Sequence, residues 1–221
     1  MSEKKEGLFS KKNRKLITDP IGDNNPITIQ VLGVCSALAV TTQLKPSFIM
    51  GIAVICVTAF SNLIISLIRN VMPPRIRMIV QLVVIATLVI LVSEILEAFQ
   101  YDVFTKLSVF IGLIITNCIV MGRLEAFAMA NGPWQSFLDG IGNGIGYGAI
   151  LVVVAFFREL FGAGKLFIGT PMEINIVEML NLTSIGYENN GVMLMPSAAM
   201  FIIGVYIWIQ RNKNTDLVDA S

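Results

Sequence analysis

The sequence contains no histidine, and charged residues make up only 14% of its 221 positions. Without histidine the chain lacks the side chain that most often serves as a general base, a metal ligand or a pH switch. Soluble domains average about 25% charged residues, so the composition argues against a water-soluble globule. A net charge of +1 is too small to indicate a nucleic-acid partner. Three cysteines are too few for a disulfide framework.

What the chain has in abundance is apolar sequence, with 55% hydrophobic residues and a mean hydropathy of +0.75. These values exclude disorder and indicate a polytopic membrane protein embedded in the lipid bilayer. We expect an all-α fold with a polar N-terminal tail over residues 1–25, a transmembrane domain over 26–210 and a C-terminal tail over 211–221. Six apolar segments define the domain: Ile27–Leu44, Phe48–Ile68, Ile76–Leu96, Leu107–Met121, Ile141–Leu160 and Val192–Ile209.

Two of the six segments make poor spanning helices, because crossing the hydrocarbon requires about 20 residues. The fourth segment has only 15 residues. The first segment has polar residues along its whole length and also contains a glycine. They are either tilted helices in thinned lipid or half-helices that meet non-helical backbone inside the protein. Each of these two segments is the first of three in its half of the domain, and this matching position favours half-helices. The pattern therefore predicts six transmembrane helices as two inverted three-helix repeats, with the first and fourth helices broken or half-length.

The distribution of lysine and arginine predicts the orientation in the membrane. If the N-terminus is cytoplasmic, twelve of these residues fall on the cytoplasmic side and four on the outer side. Basic residues are enriched in cytoplasmic segments, so we expect both termini in the cytoplasm. The polar tail lacks the short apolar region and cleavage site of a signal peptide.

The three cysteines lie in different settings. Cysteine in a membrane helix commonly behaves as a small buried hydrophobe, and Cys56, among apolar neighbours, fits that interpretation. Cys35 and Cys118 each lie in one of the two unusual segments, where backbone N–H groups freed by a helix break would stabilise a thiolate. Zinc and iron–sulfur sites take four ligands, so a metal site at Cys35 and Cys118 would require two ligands from another chain.

Two further features concern packing and charge. Glycines alternate from Gly140 to Gly148 without the spacing of a dinucleotide-binding loop, and pairs four apart predict close helix packing. Acidic residues close to the span ends are candidates for contact with a transported cation, and these are Glu94, Glu97, Glu125, Asp139 and Glu159.

The cysteine motifs Leu32–Thr41 and Ile114–Arg123 resemble those of a family of paired membrane subunits. That family serves the sodium-translocating NADH:quinone oxidoreductase and the related Rnf electron-transport complex. Ala59–Asn70, Arg123–Met129 and the glycine run resemble the sodium-translocating enzyme in particular. The resemblance covers about residues 20–210.

The resemblance implies a redox function. Cysteines matching Cys35 and Cys118 are ligands of an intramembrane [2Fe–2S] cluster in that family, together with two cysteines of a sister membrane protein, the E subunit. The chain would then be one part of a translocase of the bacterial inner membrane and would not be catalytic alone. Electrons would pass from NADH, through this cluster and through flavins on other subunits, to ubiquinone, coupled to Na⁺ export.

Three alternatives remain open at the level of sequence. An Rnf-type complex would transfer electrons between NAD and ferredoxin, although Ser36 and Ala37 directly after Cys35 favour the quinone-reducing enzyme. A stand-alone secondary transporter would share the six-helix inverted repeat without requiring the paired cysteines. In a passive scaffold subunit both cysteines would be dispensable.

Overall fold

The computed structural model describes residues 16–20, 25–99, 105, 112–163, 165–166, 174–175 and 195–213. Most of the expected N-terminal tail, residues 107–111 of the fourth apolar segment, residues 192–194 of the sixth, and most of the C-terminal tail lie outside these ranges.

The regular secondary structure of the described residues is helical, apart from one short strand pairing. In this antiparallel pairing Lys165 lies opposite Asn175 and Leu166 opposite Ile174. The elements in chain order are α1 (Val34–Val40), α2 (Leu44–Ile68), α3 (Arg77–Phe99), α4 (Cys118–Arg123), which continues as a π-helix (Leu124–Ala128), α5 (Pro133–Ala163), β1 (Lys165–Leu166), β2 (Ile174–Asn175) and α6 (Pro196–Lys213).

Three of these helices are long and apolar enough to cross a membrane, namely Leu44–Ile68, Arg77–Phe99 and Pro133–Gly162. At 1.5 Å per residue even the shortest would extend about 34 Å, which exceeds the hydrocarbon thickness of about 30 Å. Length and composition therefore support the expected membrane location of this helical domain.

The centre of the fold is the contact between α2 and α5. A Cβ atom added at Gly140 would lie 2.7 Å from Ala59 Cα, and one at Gly144 would lie 2.8 Å from Ile55 Cα. Position 148 is opposite Gly51, so residue numbers rise along one helix as they fall along the other, and the two helices are antiparallel. The close helix packing predicted from the glycine run is confirmed and occurs within this chain.

The remaining glycines of the run face a different part of the chain. A Cβ atom at Gly142 would lie 2.5 Å from the Leu16 carbonyl oxygen, and one at Gly146 would overlap the Pro20 carbonyl. Two helix positions correspond to a rotation of about 200°, so strictly alternating glycines give α5 two opposite close-contact faces. The C-terminal end of the expected polar tail thus packs against α5.

Helices α3 and α6 lie at the periphery. Only Gln81, Ile85 and Val89 of α3 are buried. Large apolar side chains cover the outer faces of both helices, among them Met78, Ile79, Val83, Ile90, Phe99, Met200, Phe201 and Trp208. Such faces are suited to lipid or to other membrane proteins.

Neither unusual segment forms an uninterrupted helix within the described residues. In the first, turns at residues 26–29 precede α1, which has only seven residues. In the fourth, the helical residues 112–115 are separated from α4 by a break at Thr116 and Asn117. The half-helix alternative is therefore the one that the described residues adopt.

Candidate functional site

The fold brings together the two cysteines singled out from the sequence. Cys35 is the second residue of α1, Cys118 is the first residue of α4, and both are exposed. They line one cavity of about 50 Å³, here called the cysteine cleft, with Gly33, Ser36, Leu113, Thr116 and Asn117. Since the cysteines are 83 positions apart, only tertiary structure places them in one cleft.

Cys56 lies elsewhere. It is part of the regular helix α2 and faces a wholly apolar groove of about 520 Å³ between α2 and α3. Leu88, Leu91 and Phe99 are among the other lining residues. Its surroundings are apolar, as expected, but Cys56 is exposed rather than buried, because it lines this groove.

The first side of the cleft depends on a left-handed glycine. Gly33 precedes α1 with φ +76°, a conformation that side chains with a Cβ rarely adopt. A Cβ atom there would lie 3.1 Å from Tyr147 Cε2 and 3.2 Å from Asn117 Oδ1. Gly33 therefore allows both the turn into α1 and the close approach of the other two elements.

The second side of the cleft depends on a helix cap. Asn117 has extended backbone angles, and its Oδ1 accepts a hydrogen bond from the Ile119 N–H at 3.2 Å. This satisfies one of the N–H groups in the first turn of α4 that have no partner within the helix. The cap determines where α4 begins and hence where Cys118 lies.

Three buried polar side chains, here called the polar bridge, join the two sides behind the cleft. Asn117 Nδ2 donates to Ser36 Oγ at 3.2 Å. Ser36 Oγ also donates to the Gly33 carbonyl at 2.9 Å and lies 2.6 Å from the Tyr147 hydroxyl. We assign the Tyr147 hydroxyl as the donor in that last bond, because the single Ser36 hydroxyl hydrogen is directed to the Gly33 carbonyl.

Two consecutive residues of α5 hold the junction between α1 and α2. The fully buried Arg158 donates to the Leu38 carbonyl at 3.2 Å and to Thr41 Oγ1 at 2.7 Å, at the C-terminal end of α1. Glu159 accepts from the Leu44 N–H at 2.6 Å, at the N-terminal end of α2. Each charge has the sign that stabilises the helix end it meets.

The junction before α5 is held in a related way from the end of α2. Arg69 donates to the Asn131 carbonyl at 2.5 Å, and Ser66 Oγ donates to the same oxygen at 2.7 Å. Nearby, Asn62 Nδ2 donates to the Ser136 carbonyl at 3.1 Å. Thus residues near the end of α5 hold the segment that carries Cys35, and residues at the end of α2 hold the segment that carries Cys118.

The acidic residues singled out from the sequence have varied surroundings. Asp139 accepts two hydrogen bonds from Arg123, one of them at 2.9 Å from Nε, and Asn143 Nδ2 donates to it at 3.0 Å. Glu125 is paired with Arg77 and accepts from Gln81 Nε2 at 3.1 Å. Glu94 and Glu97 are exposed near the end of α3. These carboxylates are not gathered at one place.

The described residues contain no group of three or more cysteine, aspartate or glutamate side chains that could hold a metal ion. Two thiols in one cleft are half of the four ligands that an iron–sulfur or structural zinc site requires. Their exposed position leaves room for ligands from another chain.

Sequence reasoning missed the residues that support the cleft. Ser36 and Asn117 each adjoin a cysteine, and this repeated pairing of a thiol with a polar neighbour was a usable signal. Tyr147 lies within the glycine run, which predicts packing only, and the sequence around Arg158 contains no signal for its contacts. Their roles depend on which helices meet.

The chain is similar to several known proteins. A family model described as "Rnf-Nqr subunit, membrane protein" matches residues 13–207. A Photobacterium profundum protein is 57% identical over 213 residues, covering 96% of this chain and 98% of that protein. A Haemophilus ducreyi protein is 56% identical, covering 93% and 97%, and a Shewanella baltica protein is 54% identical, covering 96% and 98%. All three bear the name of the D subunit of the Na(+)-translocating NADH-quinone reductase.

Proposed function

Because the chain belongs to the Rnf-Nqr family of membrane proteins, we propose that it acts as the D subunit of a sodium-translocating NADH:quinone oxidoreductase. The chain alone is not catalytic in this proposal, and NADH, flavins and quinone bind to other subunits. The names of its relatives supply the overall reaction. The role of this chain within that reaction is argued from the cysteine cleft.

The observation that carries the proposal is the meeting of Cys35 and Cys118 in one surface cleft. We assign them as two ligands of a [2Fe–2S] cluster, with the other two supplied by the sister E subunit. The donor set fits, because thiolates are the usual ligands of such clusters. When bound, the cluster would accept and release one electron at a time.

The chain's own residues would orient the thiols and limit access of water. Both cysteines lie in the first turn of a helix, where backbone N–H groups lack partners within the helix. The polar bridge holds the two cysteine-bearing segments together from behind. Through Tyr147 the bridge connects both segments to α5, which packs tightly against α2.

The proposal includes six transmembrane helices in two inverted repeats. Antiparallel packing of α2 and α5, which hold the same place in the two halves, supports this arrangement. The broken segments before α2 and α5 and the similar ties at their junctions support it further. Inversion would bring the two cysteine segments to the same depth from opposite sides.

We propose that the protein resides in the bacterial inner membrane with both termini in the cytoplasm, because lysine and arginine divide twelve to four in that sense. A reporter enzyme active only in the periplasm and fused after Ser221 should be silent. The same reporter inserted after Lys165 should be active. The reverse pattern would contradict the orientation.

The cluster assignment is tested with three single variants in the assembled complex. Cys35→Ala and Cys118→Ala should each remove the iron at the interface with the sister chain, since loss of one of four thiolates leaves an open coordination position. Reduction of flavin by NADH should continue, while quinone reduction and Na⁺ transport should fail together. Cys56→Ala is the matched control and should retain iron and activity. Full iron content and activity in Cys118→Ala would rule out the assignment.

An Rnf-type function is the second candidate, because the matching family model covers both complexes. The relatives are named as parts of an NADH-quinone reductase, and this favours the quinone-reducing function. The purified complex should therefore reduce quinone with NADH and should not reduce ferredoxin.

A further inference from the structure

The polar bridge connects α1, the start of α4 and α5. Ser36 directly follows Cys35 on α1, Asn117 directly precedes Cys118 before α4, and Tyr147 lies in the middle of α5. All three side chains are buried, and Tyr147 is fully so. The bridge therefore joins both cysteine segments to the rigid α2–α5 core.

A helix as short as α1 does not hold its own position. Seven residues make fewer than two turns, and isolated helices of that length are unstable in water, so tertiary contacts determine the location of α1. At its N-terminal end the Tyr147 ring and Asn117 both approach Gly33. The same two side chains are hydrogen-bonded to Ser36.

The hydrogen bonds also have a direction. Tyr147 and Asn117 both donate to Ser36 Oγ, so the positive ends of two bond dipoles are directed toward a residue that lines the cysteine cleft. Inside a protein such dipoles act strongly because little water screens them. Hydrogen bonding around the sulfur ligands is also one of the ways in which proteins tune iron–sulfur centres.

We propose that Tyr147 is a positioning residue for the Cys35 and Cys118 thiols. Through Ser36 and Asn117 it fixes the separation of the two cysteine segments, and its hydroxyl dipole raises the reduction potential of the centre that the thiols hold. The first part depends only on the geometry of this chain. The second part rests on the proposed function.

Thiol separation is tested in the full chain in membranes, carrying Cys56→Ser so that Cys35 and Cys118 are the remaining cysteines. The probe is dibromobimane, which becomes fluorescent when it bridges two thiols. The parent should be bridged readily. Tyr147→Phe and Ser36→Ala should each slow bridging about fivefold, the effect of one net hydrogen bond on an equilibrium.

Two variants distinguish positioning from general destabilisation. Ser36→Thr keeps a hydroxyl and should restore bridging. Tyr206→Phe removes the equivalent hydroxyl from α6 at a half-exposed position away from the cleft and should bridge as the parent does. Unchanged bridging in both Tyr147→Phe and Ser36→Ala, or no bridging in the parent, would overturn the geometric part.

The electrostatic part is tested by redox titration of the assembled complex, followed by electron paramagnetic resonance. Tyr147→Phe should retain its iron and show a more negative midpoint potential than the parent or Tyr206→Phe. Iron present at an unchanged potential would overturn this part while leaving the proposed function intact. Absence of iron from the parent complex would instead refute the proposed function, and the bridging result would stand by itself.

Discussion

In the first half of the chain the cysteine-bearing helix follows a left-handed glycine, whereas in the second half it follows an extended asparagine that caps it. The first helix stops after seven residues at Thr41, while the second continues into a π-helix. Buried Arg158 and Glu159 close the first junction, and Arg69 with Ser66 closes the second. The two segments reach one cleft through different local chemistry.

This difference shows that the two cysteine-bearing segments need not resemble each other in sequence. A break in a membrane helix requires only that the freed backbone groups find partners inside the protein. Glycine conformation, side-chain caps and buried arginine all meet that requirement, so each half has its own solution. What the halves share is the order of elements and the position of a cysteine at a helix start.

The largest loss of folded protein should come from a substitution in the α2–α5 contact, because this contact supports both cysteine-bearing segments. In Gly144→Leu a side chain would be forced against Ile55, where even a Cβ atom would lie 2.8 Å from backbone. Overpacking by a few methylenes already costs about 1–3 kcal/mol, so we expect almost no chain to accumulate in membranes. Immunoblotting of membrane fractions measures this.

Gly148→Ala is the matched control for that variant. A Cβ atom there would lie 3.6 Å from Gly51 Cα, an ordinary van der Waals distance. Normal accumulation is expected. Normal accumulation of Gly144→Leu as well would mean that α2 and α5 do not pack as described.

A smaller loss of stability should follow from replacing the arginine at each of the two junctions, and its size should differ between them. Arg158→Gln would leave buried acceptors on α1 without their donor, at about 1–3 kcal/mol for each unsatisfied group. Arg69 is only partly buried, and Ser66 bonds the same carbonyl, so Arg69→Gln should lower the melting temperature less. Thermal unfolding in detergent compares the two. An equal loss would show that the junctions are equally dependent on arginine.

The smallest loss of stability should come from substitutions at the starts of the two cysteine-bearing helices. Gly33→Ala would place a Cβ atom on a left-handed residue, which costs roughly 1–2 kcal/mol. Asn117→Ala would remove a cap that contributes about 1 kcal/mol. Chemical denaturation of the detergent-solubilised chain measures both.

Gly112→Ala serves as the control for Gly33→Ala, because a Cβ atom at Gly112 would have no described neighbour within 4 Å. It should leave the stability unchanged. If Gly33→Ala were equally neutral, the left-handed turn would not be needed for the entry into α1.

Much of the architecture followed from local patterns. Apolar runs of about 20 residues indicated α2, α3 and α5, and glycines spaced by four indicated a close helix contact. The polar content of the first segment and the shortness of the fourth indicated helix breaks. These signals are local, because hydropathy and backbone clearance act on neighbouring residues of one helix.

By itself, the sequence determined the three long apolar helices, the close packing along Gly140–Gly148 and the choice of Cys35 and Cys118 as the cysteines of interest. Only the tertiary structure decided that these thiols share a cleft and that Tyr147 joins their segments from behind. It also decided that Arg158 and Glu159, neighbours on α5, serve opposite ends of two other helices. These contacts join residues more than 100 positions apart. They arise from the antiparallel crossing of α2 and α5, and no local pattern encodes which side chains that crossing brings together.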